Sequence, residues 1–108
     1  MTVLDLKNRL GLKACAIPEP QREITDVYIG DLLSWVMGRA KSGDAWITIM
    51  SNKNIAAVAT LTDAACIIIA EGVTPDEGVS ELCEQKGINL LSSEDGAYKT
   101  AVNISRLL

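Results

Sequence analysis

No histidine occurs anywhere in the 108 residues. The commonest general base and neutral metal ligand is therefore missing. Phenylalanine is also absent and aromatics make up 4% of the chain, so any core has to be built from Ile, Leu, Val and Ala. The three cysteines, Cys15, Cys66 and Cys83, form an odd set with no C-x-x-C pair. Cys66 and Cys83 lie inside apolar patterns, and all three read as buried thiols of a reducing cytoplasm. A zinc or iron–sulfur site would need four ligands, so no metal and no cofactor is expected. The phosphate loop G-x-x-x-x-G-K-S/T, the fingerprint G-x-G-x-x-G and the nucleophile elbow G-x-S-x-G are all absent, which removes P-loop kinases and NTPases. No catalytic residue is assigned.

Clustered positive charge is missing too. The ten Lys and Arg residues are scattered singly and the net charge is −4. Nucleic acid binding needs grouped cations to displace counterions, so that class is excluded. The start, "MTVLDLKNRL", has no apolar h-region, and no apolar run approaches the ~20 residues of a membrane span. A cytoplasmic location is expected.

What is present is one domain's worth of chain. Such a length buries about 60–70% of its unfolded surface, enough for a core without staples. Thr2 and Asp5 form a T-x-x-D capping box ahead of Leu4, Leu6 and Leu10, and Gly11 closes that helix. Strands are expected at 13–17, 23–29, 45–50, 65–70 and 88–91. The run "ACIIIA" (65–70) is apolar on both sides, the mark of a strand covered on both faces. Helices are expected over 31–41 and 55–63. Another should follow Thr74 as N-cap with Pro75 at its first position and Glu77 completing a capping box, burying Val79, Leu82 and Cys83 and ending at Gly87. A last helix should be capped by Ser92 or Ser93 with Asp95 in its first turn. This alternation argues an α/β fold, a mostly parallel or mixed central sheet of four to five strands with helices on both faces. Residues 1–20 supply an N-terminal helix and strand, and 21–108 the core of a single domain.

In open α/β sheets ligands sit outside the carboxyl ends of the strands. Three such ends carry distinctive residues: Gly30-Asp31 with Ser34, Thr48 leading into Ser51-Asn52-Lys53-Asn54, and Glu71-Gly72. Asp31 is either an N-cap or an acceptor for a ligand hydroxyl or amine. Residues 51–54 precede a helix whose free N–H groups favour an anion, with Lys53 as a cation, although Asn52 or Asn54 could simply cap it. Gly30 supplies a conformation or close approach that a Cβ would forbid. Leu32, Leu33, Val36, Met37 and Ala40 form the buried stripe of helix 31–41. Trp35 lies off that stripe, and Trp46 reads as a core or sheet-face residue. An off-stripe tryptophan suits a subunit interface, with Met37 and Arg39 beside it; a ligand wall and plain exposure are the other readings. The pairs Asp76/Glu77 and Glu94/Asp95 fall in expected first turns of helices and are read as structural.

The order G-D-L-L-S (30–34), W-I-T (46–48), N-I-x-A-V-A (54–59), an apolar strand ending in E-G, and T-P-D-E (74–77) resembles the DRTGG domain family over about residues 20–107. The pentapeptide of the family's name does not occur as a run, so the chain resembles a divergent or stand-alone branch. The resemblance implies a three-layer α/β/α fold similar to the N-terminal domain of HPr kinase/phosphorylase. It implies a non-enzymatic regulatory module, beside adenine-nucleotide regulatory regions and in dimer contacts in CBS-containing pyrophosphatases. It also implies, for short members, association with iron-only hydrogenase or other redox systems. The expectation is a homodimeric module that senses a nucleotide or other small anion and acts on a separate chain. The alternative is a protein-interaction subunit of a redox or hydrogenase system with no small ligand.

Overall fold

The computed structural model describes all of residues 1–108. In chain order it contains α1 (Val3–Leu10), β1 (Lys13–Ala16), β2 (Asp26–Ile29), α2 (Leu33–Arg39), β3 (Asp44–Thr48), α3 (Asn54–Thr62), β4 (Cys66–Ile69), α4 (Val79–Lys86), β5 (Leu90–Ser92) and α5 (Ala97–Ser105). The five strands form one mixed sheet in the order β1-β5-β4-β3-β2. β2 to β5 are parallel neighbours, and β1 runs antiparallel to β5. The expected α/β class is thus the one observed.

The layering follows from connection geometry. β2, β3, β4 and β5 lie side by side in chain order, each joined to the next through one helix. Crossovers of this kind are right-handed, so successive ones in one direction lay their helices on the same face. α2, α3 and α4 accordingly share a core with Trp46, Ile67, Ile69 and Leu90. The second face packs Val3 and Leu6 of α1 and Ile104 of α5 onto Ala45, Ile47, Ile68 and Leu91. Side chains alternate across a strand, so β3 and β4 feed both cores at once. All four β4 residues are fully buried, as a central strand demands. Each isoleucine sealed there contributes about 1.5–3 kcal/mol relative to exposure.

Helix starts depart from expectation. The Thr2–Asp5 capping box is present and Gly11 closes α1 at φ 64. Gly87 likewise closes α4. Asp31, however, does not cap α2: the N-cap is Leu32, with no side-chain bond. α4 begins at Val79 behind Gly78, four residues past Pro75. The cause is Asp76, whose carboxylate takes the Ser51 hydroxyl (2.8 Å) while its N–H donates to the Ser51 carbonyl (2.9 Å), holding 74–77 as a loop. α5 is preceded by Gly96 rather than capped by serine, because the Ser93 hydroxyl is shared with the buried Thr100 hydroxyl at 3.0 Å.

The α2 stripe is narrower than expected. Val36 is fully buried and Leu33 packs against the core, but Leu32 and Met37 are 61% and 47% exposed. Leu32 precedes the helix in extended conformation, so it never joins the helical line. Trp46 is fully buried with its indole N–H donating to the Gly30 carbonyl at 2.9 Å.

Candidate functional site

Because β2 to β5 are parallel, the loops after them all emerge at one end of the sheet. Each is tied to the next. Thr48, 2% exposed, donates its hydroxyl to Asp31 Oδ1 at 2.8 Å, and the Ile49 N–H donates to the same oxygen at 2.9 Å. The Thr48 hydroxyl also accepts from the Met50 N–H at 3.1 Å. Ser51 and Asp76 join the β3 and β4 loops as described above. The Glu71 and Gly72 N–H groups then donate to the Asp95 and Ser93 carbonyls at 2.8 and 2.9 Å, joining the β4 and β5 loops. The result is a continuous rim of four hydrogen-bonded loops.

Gly30 allows the first of these turns. An added Cβ would lie 2.9 Å from Tyr28 Cε2, so a close approach rather than a positive φ requires glycine there. Asp31 Oδ1 takes both internal bonds, and Oδ2 takes none. Gly30, Asp31 and Thr48 are therefore brought together. Ser51, Asn52, Lys53 and Asn54 form the adjacent turn. The Asn52 side-chain carbonyl accepts the Asn54 N–H at 2.9 Å, and Lys53 is exposed at the helix N-cap without an ion pair. Ser34 is exposed on α2 and bonds to none of these residues.

Sequence reasoning missed Asp76. Its pairing with Ser51 spans 25 residues, and no local spacing announces it. It also missed the exposed side chains of Ile29, Leu32 and Ile49, which flank Asp31 in the chain or through its bond to the Ile49 N–H. The end of the "AWITIM" run past Thr48 was the available signal.

On the outer face of α2 Trp35 is 56% exposed, and the Arg39 guanidinium stacks 4.0 Å from its ring centroid. Met37 is exposed as well. The thiols are chemically quiet. Burial pushes Cys66 up to about 12 and Cys83 up to about 11, and it raises half-buried Cys15 as well. No group of three or more Cys, Asp or Glu is arranged to hold a metal ion. Two open grooves exist, of about 370 and 320 Å³, and they run along the edge strands β1 and β2 rather than over the rim. The rim is thus a surface that can recognise by contact.

A family profile for the DRTGG domain matches residues 12–107. The chain belongs to the DRTGG domain family. The chain also superimposes, with a TM-score of 0.70 and 18% identity, on the crystal structure of the CBS and DRTGG domains of the regulatory region of Clostridium perfringens pyrophosphatase complexed with its activator, diadenosine tetraphosphate. That alignment covers 98% of this chain and 45% of the other, so the DRTGG chain spans about half the length of the structure it matches. No curated protein matches it. In this DRTGG fold no helix is long and apolar enough to cross a membrane.

Proposed function

We propose that this DRTGG domain is a non-enzymatic regulatory module that senses a small anionic ligand, an adenine nucleotide being the first candidate, and acts on a separate chain. The observation that carries the reading is the rim. It holds Asp31 rigidly with one carboxylate oxygen free, one loop away from the exposed, unpaired Lys53 at the start of α3. Asp31, Gly30, Ser34 and Thr48 would border the hydroxyl- or amine-bearing part of the ligand. Ser51, Asn52, Lys53 and Asn54 would face its anionic part. The outer α2 face, Trp35 with Met37 and Arg39, would form the homodimer contact, since an exposed tryptophan braced by arginine gives large area at low rotamer entropy.

Thermal shift and calorimetry against AMP, ADP, ATP and diadenosine tetraphosphate test the ligand. A ligand at 100 times its dissociation constant should stabilise the fold by about 2.7 kcal/mol, with loss in Lys53→Ala. Stability unmoved by every nucleotide at millimolar concentration would remove the ligand from the proposal. Sedimentation tests the dimer: Trp35→Ala should yield monomer at tens of micromolar, by ordinary hot-spot magnitudes.

One observation favours a second reading. The Ser51 hydroxyl already serves Asp76, which closes part of the 51–54 turn and sets a carboxylate where an anion would lie. A ligand-free interaction subunit, associated with an iron-only hydrogenase or other redox system, needs no opening there. Co-purification with such a partner, combined with nucleotide indifference, would select it.

A further inference from the structure

The groove along β2 lies on the opposite face of the sheet from Trp35. Its walls are Val27 and Ile29 of the strand and Tyr98, Ala101 and Val102 of α5, with Asp26 at one end. Ile29 and Tyr98 are 48% and 82% exposed, and the Tyr98 hydroxyl makes no hydrogen bond within the chain. β2 ends the sheet, so one row of its backbone groups has no neighbouring strand. The Gly30 N–H points inward, to the Ile47 carbonyl of β3. The Val27 N–H points outward, and the carboxylate of its own neighbour Asp26 covers it at 2.8 Å. Alternation along the strand turns the Ile29 N–H outward as well.

The other edge is protected in ways this one is not. β1 starts with Lys13, carries a bulge between Ala14 and Ala16, and is followed by Pro18, three devices that discourage strand addition. β2 has only the Asp26 side chain, which can swing away. An added strand would free that carboxylate, and Asp26 has no ion pair within the chain. A second copy of this chain does not answer the need: two-fold antiparallel pairing of β2 with itself sets Val27 against Ile29 and Asp26 against Gly30, and brings no cation.

We propose that the β2–α5 groove receives an extended, mainly apolar segment of another protein, which adds to the β2 edge and carries a lysine or arginine opposite Asp26. Main-chain bonds to Val27 and Ile29 supply affinity, and alternate apolar side chains enter the groove beside α5. The inference rests on the reading that this module acts on a separate chain, and it names the surface and chemistry of that contact.

The test uses a fluorescein-labelled eight-residue peptide of alternating valine and threonine with one central lysine, a glutamate version of it, and the nitrogen-15-labelled chain. The lysine peptide should bind and shift the amides of 26–29 and 97–105. Val102→Glu, at a half-buried surface position, should weaken binding at least ten-fold, and Asp26→Asn should erase the preference for lysine over glutamate. Shifts mapped on the unaltered chain keep the test valid if either variant folds poorly. Absence of binding at about 1 mM, equal binding of the two peptides, or shifts confined to other elements would overturn the proposal. So would a dimer that Val102→Glu dissociates and Trp35→Ala does not. None of these results touches nucleotide-dependent stabilisation, so the two readings fail separately.

Discussion

Replacing Asp31 by alanine tests whether the rim is held by the carboxylate. The change removes one oxygen that serves two donors, the Thr48 hydroxyl at 2.8 Å and the Ile49 N–H at 2.9 Å. The two losses differ. Thr48 is 2% exposed, so its orphaned hydroxyl carries a desolvation penalty of about 1–3 kcal/mol. The Ile49 N–H lies at an exposed position and can turn to water, which adds little. We expect Asp31→Ala to destabilise by about 2 kcal/mol in urea unfolding, and Asp31→Asn by about 1 kcal/mol or less, since the amide keeps an acceptor. For a domain of this size 2 kcal/mol corresponds to about 8–16 °C in Tm. Thr48→Val completes a double-mutant cycle: once the hydroxyl is gone, Asp31→Ala should lose about 1 kcal/mol less. Additivity within about 0.3 kcal/mol, or an alanine variant as stable as the parent, would refute the argument that this carboxylate organises the turn.

Ellman's reagent at pH 8 should modify only Cys15 in the folded chain, and slowly, while Cys66 and Cys83 react on unfolding, because burial raises all three thiols and leaves only Cys15 accessible. Gly43→Ala should destabilise by at least about 2 kcal/mol, since the residue sits at φ +88 and its new Cβ would strike Thr25 Oγ1; Thr25→Ala should restore part of that loss in a denaturation series. Asp63 is held below the usual carboxylate range first by hydrogen bonds from Arg22, then by Ser42. A depressed folded value means the contribution is present above the unfolded value of 3.8 and disappears as the pH falls through the folded one. Stability should therefore drop below about pH 4, and Arg22→Gln should flatten that slope modestly, because Asp63 is largely exposed and salt-screened.

The elements that sequence reasoning placed well are those with local causes. The Thr2 capping box, the Gly11 and Gly87 helix ends and the wholly apolar β4 each depend on residues within a turn of one another. The misplaced features all depend on partners distant in the chain. Asp31, Asp76 and Ser93 have the composition of helix caps, and each was recruited by a neighbouring loop or helix: Asp31 by Thr48, Asp76 by Ser51, Ser93 by Thr100. Short polar side chains serve a helix start or a loop equally well, so spacing alone does not separate the two. Of the candidate site residues, the sheet's parallel arrangement explains why Gly30, Asp31 and Thr48 converge. Neither Asp76 nor the β2–α5 groove could be anticipated, because both depend on strand order.

The pairing of β1 with β5 joins Lys13 to Ser92. On the ribosome, which adds about 5–20 residues per second, β2, β3 and β4 with their intervening helices emerge well before that match exists. β1 has to wait, together with the apolar side of α1, until β5 has been made. The last strand of the domain to be synthesised is thus the one that completes the sheet, by joining the first strand to the parallel block of β2 to β4.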